Sequence, residues 1–151
     1  VNNLDLILRR NIYATLVILY IFFIIGLHLL ILFKGMFPLF GVFVTGLKGI
    51  IFLDISILCL IGLIWGVIHR QRWAWWGSVI FFGLFSFSTV LTFSRTSYLN
   101  FLSMLGFPSR EIEFLSKIPI EGYYLAGLAG IPLLITWLIA VRSKPYFKRE
   151  Y

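Results

Sequence analysis

The chain has 151 residues, a formal net charge of +7, 60% apolar and 19% aromatic residues, and only 13% charged ones. A soluble domain carries about 45 to 50% apolar and about 25% charged residues, so this composition, with a mean hydropathy of +0.98, excludes that class and predicts an integral membrane protein. The length leaves room for one compact membrane domain over residues 1–151 and none for a folded soluble domain. The basic excess suits anionic headgroups on the cytoplasmic side and calls for no nucleic acid.

A hydrocarbon core about 30 Å thick takes roughly 20 apolar residues as a helix. Four such runs follow one another at about 12–33, 47–68, 73–94 and 123–141. They are continuous rather than alternating, which argues against a barrel. The fold class expected is therefore all-α: four transmembrane helices in an antiparallel bundle. Arg9 and Arg10 precede the first run, but its apolar stretch exceeds the roughly 7 to 15 residues of a signal-peptide core, so it reads as a retained span.

The loop "KGMFPLFGVFVTG" at 34–46 is too apolar to float in water and too interrupted by Gly35, Pro38, Gly41 and Gly46 to span. It is expected on the outer interface or dipping inward. The second span carries the GxxxG pair Gly62 and Gly66, a packing signal. "HRQRWAWWG" at 69–77 then reads as a tight turn anchored at headgroups by arginine and tryptophan.

Between the third and fourth spans, "FPSREIEFLSKIP" predicts a short amphipathic helix around 109–117 on the outer surface, with Ser109 as cap and Glu113 pairing with Lys117. The fourth span has Ala126 and Gly130 at small-residue spacing and Pro132, which removes one backbone bond.

Eight Lys and Arg (Arg9, Arg10, Arg70, Arg72, Arg142, Lys144, Lys148, Arg149) fall on one side of this arrangement. Five (Lys34, Lys48, Arg95, Arg110, Lys117) fall on the other. The positive-inside rule then makes both termini cytoplasmic in a multi-pass protein of the cell (inner or plasma) membrane. All five tryptophans fall in the cytoplasmic half.

Asp54 is the residue that composition leaves unexplained, a carboxylate within "GIIFLDISILC". Such a group costs at least about 2.5 kcal/mol in hydrocarbon and takes a partner. His28 lies at the same depth on the preceding span. Ser88, Thr92 and Arg95 share one face of the third, and Tyr124 stands at the outer mouth of the fourth. Asp54, His28, Arg95, Thr92 and Tyr124 are therefore the candidates for a ligand- or proton-binding cavity open to the outside, the bland alternative being that Asp54 and His28 join helices. No metal motif is present. His28 is a weak candidate ligand for haem or a pigment, since His69, the other histidine, sits at the opposite end. The lone Cys59 removes disulfide-exchange chemistry, and no nucleotide or hydrolase motif occurs.

These features lead to a non-catalytic, accessory subunit of a larger membrane complex, whose partners are lipid and other membrane subunits. The alternatives are a redox membrane anchor binding quinone or another cofactor, and a small proton-coupled transporter with Asp54 titrating between substrate and proton.

Overall fold

The computed structural model describes residues 3–147, with side chains from residue 11 onward. The side chains of Arg9 and Arg10, and the whole of Lys148 and Arg149, lie outside the described residues. The chain is 79% helical. In order it forms α1 (Asn3–Leu32), β1 (Phe37–Leu39), β2 (Val42–Val44), α2 (Gly46–Ile68), α3 (Arg72–Arg95), α4 (Tyr98–Leu105), α5 (Ser109–Leu115), α6 (Gly122–Arg142) and a 3-10 turn at Lys144–Tyr146.

Four helices are long and apolar enough to cross a membrane: Asn11–Leu32, Gly46–Ile68, Arg72–Arg95 and Gly122–Arg142. They match the expected runs to within one or two residues. Only 22 to 39% of their apolar windows is buried, so most of the apolar surface faces outward. That is the signature of helices solvated by hydrocarbon rather than water.

The helices pack in two tight pairs, α3 with α6 and α1 with α2, joined where α2 meets α3. Small residues let α3 and α6 approach. A Cβ at Gly130 would fall 2.5 Å from Val90, and one at Gly83 would fall 3.1 Å from the Trp137 indole nitrogen. Where hydrophobic burial supplies no drive between helices, such contact is what holds them. Two indoles tie the pair further. Trp75 donates to the Ala140 carbonyl at 2.8 Å and Trp137 to that of Val79 at 3.1 Å. Gly66 packs on Ala74 and Trp73, whereas a side chain at Gly62 would meet open space, so only half of that small-residue pair is used within the chain. Helix α6 runs through Pro132 without a break.

A polar thread crosses the core between these pairs. Tyr20 of α1 donates to the Ser78 hydroxyl, which donates to the Ala74 carbonyl at 2.6 Å. Tyr20 and Phe82, both fully buried, pack ring on ring at 5.1 Å. At the end carrying the basic cluster, Tyr13 donates to the Tyr146 carbonyl, and Arg70 lies 5.2 Å from the Tyr13 ring. The turn between α2 and α3 is as short as expected, with Arg70 in the left-handed region (φ 58°).

Two connections differ from expectation. Residues 34–46 fold into an antiparallel hairpin, β1 with β2, turning at Phe40 and Gly41 (φ 42° and 103°), which matches the twist of paired strands. It tucks inward, with Met36 and Phe37 buried. The 96–121 connection carries two helices rather than one. Helix α4 starts because the Ser97 side chain accepts from the Asn100 amide, and stops at Gly106 (φ 86°). Helix α5 begins at Ser109 with Pro108, not Ser109, at the capping position, and it ends at Leu115, before Lys117. The expected Glu113–Lys117 pair therefore loses its helical spacing and does not form.

The hairpin is held by α3. The Phe40 amide donates to Ser88 Oγ and the Gly41 amide to Thr92 Oγ1, each at 2.9 Å, while Ser88 Oγ donates to the Pro38 carbonyl at 2.8 Å. Thr92→Val keeps the shape but strands the Gly41 amide, which costs about 1 to 3 kcal/mol. Thermal unfolding of the purified protein should show a lower midpoint, with faster proteolysis at residues 40–41. An unchanged midpoint would show that the hairpin does not depend on this bond.

Candidate functional site

Every polar side chain on the inward face of α3 has work within the chain except two. Thr92, fully buried, accepts from Gly41 and donates to the Ser88 carbonyl at 2.7 Å. Ser86 and Thr89 are buried and their hydroxyls have no partner among the described residues. Thr92 was expected to line an open polar cavity. It anchors the hairpin that fills this end instead. Arg95 is exposed and lies over the hairpin turn, where a Cβ at Gly41 would come within 3.0 Å of its guanidinium. Tyr124 is exposed and its ring stacks 4.3 Å from Tyr123. Thr92, Arg95 and Tyr124 are thus at the hairpin end of the bundle, but they do not gather around Asp54.

Asp54 and His28 are both exposed, so the expected inward-facing arrangement is replaced by an outward one. The physical reason is that α2 is apolar on every side, so nothing in its pattern marks which side is core. Leu53, Ile57 and Leu60 are buried, which turns Asp54 onto the outward strip with Ile51 and Leu58. Among the described residues Asp54 has no hydrogen-bond or ion-pair partner. His28 Nδ1 donates to the Ile24 carbonyl at 3.1 Å, which leaves Nε2 for something else.

Helical spacing relates the positions of the two side chains. A crevice near the basic end is lined by Tyr13, Ala14, Val17 and Ile18 of α1 and by Ile68 of α2. Fourteen residues onward from Ala14 is His28, and fourteen back from Ile68 is Asp54. Fourteen residues are about 21 Å and close to four whole turns of about 3.6 residues, so both return to the side of the helix that lines the crevice. His28 and Asp54 therefore stand level, flanking one outward groove between α1 and α2. A carboxyl and an imidazole nitrogen there can donate, accept or form an ion pair with a group arriving from outside the chain.

A separate cavity of about 310 Å³ opens between α1 and α6, where these helices touch little. Its lining is almost wholly apolar, including Phe22, Gly26, Phe85, Leu128 and Ala129, with Thr89 as the one hydroxyl-bearing residue. Nothing in the sequence pattern marks it, because its walls come from six elements, α1, β1, β2, α3, α4 and α6. Among the described residues no three His, Cys, Asp or Glu cluster as a metal site requires. No protein-family model, curated protein or solved structure matches the chain.

Removing the carboxyl tests whether it serves the chain itself. Asp54→Leu replaces an unpartnered polar group with an apolar one on an apolar strip, so the thermal midpoint of the detergent-purified single chain should stay or rise. Tyr20→Phe, which removes the buried hydrogen bond that Ser78 accepts while leaving the one it donates to Ala74, should lower it, at a cost of about 1 kcal/mol of stability. A clear drop for Asp54→Leu would make Asp54 an internal strut.

Proposed function

We propose that the chain is a non-catalytic subunit of a larger membrane complex: an antiparallel four-helix bundle in the cell membrane, both termini cytoplasmic, that docks a neighbouring polypeptide along the outward groove of α1 and α2. The observation that carries this reading is Asp54. A carboxyl at this depth costs at least about 2.5 kcal/mol when it faces hydrocarbon alone, and no described residue of the chain offsets that cost. A neighbour that hydrogen-bonds the group does. The strip around Asp54 supports the same reading, because Ile51, Leu58, Ile61, Trp65 and Ile68, all exposed, repeat at the three-and-four spacing of a helix seam. The basic cluster of Arg70, Arg72, Arg142 and Lys144 suits anionic headgroups at the cytoplasmic surface.

The test is photo-crosslinking in native membranes from an unnatural amino acid at position 58 and, as a control, at position 128 on α6. A protein adduct from position 58 and only lipid adducts from position 128 are expected. Lipid adducts alone from both positions would contradict the docking role.

A second reading, a lipid-soluble cofactor such as a quinone, is favoured by the cavity between α1 and α6 rather than by Asp54. Its volume of about 310 Å³ falls at the lower end of the roughly 300 to 1,000 Å³ of ligand pockets, and its phenylalanine walls suit a flat ring. Gly26 lines the cavity and a Cβ there meets open space, so Gly26→Leu should take up cavity volume without disturbing the fold. Quinone retained by the wild-type protein through purification and lost from this variant would support the reading; equal retention would remove the cavity from consideration.

A further inference from the structure

Resting on the docking role just proposed, we infer that the neighbour in the α1/α2 groove is a second copy of this chain, joined by reciprocal contacts of each His28 with the other copy's Asp54. The argument is one of complementarity. Whatever occupies the groove must offer, at one level, a group that answers a carboxyl and a group that answers an imidazole. The chain offers that pair itself, on adjacent helices, level with one another and both facing outward.

A two-fold axis along the membrane normal keeps every residue at its own depth. It lays α1 of one copy against α2 of the other and α2 against α1. In such an isologous interface a contact from one residue to another is repeated in reverse, so the His28–Asp54 contact is made twice. Each helix would then have only oppositely directed neighbours across the seam, the favourable arrangement for helix dipoles.

The atoms fit this pairing. With Nδ1 of His28 engaged by the Ile24 carbonyl, Nε2 either accepts a hydrogen bond from a carboxylic acid or, as imidazolium, donates one to a carboxylate. Both forms satisfy the same geometry. The rest of the seam is apolar and of the same spacing on both helices. On α1, Ile18, Ile21, Ile25 and Leu32 flank His28, and on α2, Ile51, Leu58, Ile61 and Trp65 flank Asp54, all exposed. Leu58, one turn beyond Asp54, stands level with Ile25, one turn before His28, so the pairing register extends beyond the polar layer.

The experiment uses the full chain in native membranes, with Cys59, which is exposed, replaced by alanine. One tagged copy carries Ile25→Cys and a second, differently tagged copy carries Leu58→Cys; a Leu128→Cys copy on α6, 77% exposed, is the control. Oxidation should join the first two into a dimer bearing both tags and leave the control uncrosslinked. A disulfide from these positions to a different polypeptide would overturn the second-copy proposal and leave the complex-subunit reading standing. No disulfide to any protein would overturn both.

The charge swap gives a second readout. His28→Asp or Asp54→His alone removes both symmetry-related contacts and should weaken dimerisation in lipid by roughly eight- to three-hundred-fold, the square of the effect of one interhelical polar pair, and the double swap should restore it. Singles that dimerise as well as wild type would overturn the reciprocal pairing.

Discussion

A polar group surrounded by hydrocarbon must find its partner within reach, because no water arrives to supply one. That constraint orders this structure from the core outward. The hydroxyls of Ser78, Ser88 and Thr92 each act twice, accepting from one group and donating to another. Tyr20, Trp75 and Trp137 send their polar ends to a serine or to helix carbonyls. The hairpin is the clearest case. Three residues of turn backbone in an apolar setting would leave amides and a carbonyl unmet, and α3 presents hydroxyls one turn apart to meet them. Asp54, on the outward face, has no partner among the described residues, and the docking role proposed above rests on that; in the interior only the hydroxyls of Ser86 and Thr89 lack one among the described residues.

Close approach is the second requirement, and it explains why α3 and α6 form the tightest pair. Glycines at 83 and 130 bring the helices near enough for Trp137 to reach a main-chain carbonyl across the pair. Helices α1 and α6 touch little, and the cavity lined in part by Phe22 and Phe23 lies between them. The same difference leaves α1 and α2 as the pair with the broad exposed seam.

Much of this was legible in the residues. The four long helices follow from run length alone, and the short turn at 69–71 from the arginine and tryptophan content of 69–77. The face of α3 carrying Ser88, Thr92 and Arg95 was visible as a face, but not what it meets, since its partner is main chain and main chain leaves no mark in composition. Helix α4 had its signals in Ser97 and Gly106, which were hidden within a connection dominated by the stronger pattern at 109–117. Asp54 was visible as an anomaly, whereas its direction was not. A helix that is apolar all round carries no polarity to tell core from outside, so depth could be counted along it while azimuth could not. His28 shares that limit, and only the crevice that sets Ala14 against Ile68 fixes the side on which both residues stand.

The central claim is that Asp54 meets another polypeptide inside the membrane. The most direct measurement is the mass of the particle excised from native membranes by a polymer, without detergent, for the wild-type chain and for Asp54→Leu. The account predicts a wild-type particle containing more than one polypeptide and an Asp54→Leu particle shifted toward the single 17.5 kDa chain. A wild-type particle of one chain, or a variant whose mass matches the wild-type assembly, would contradict it.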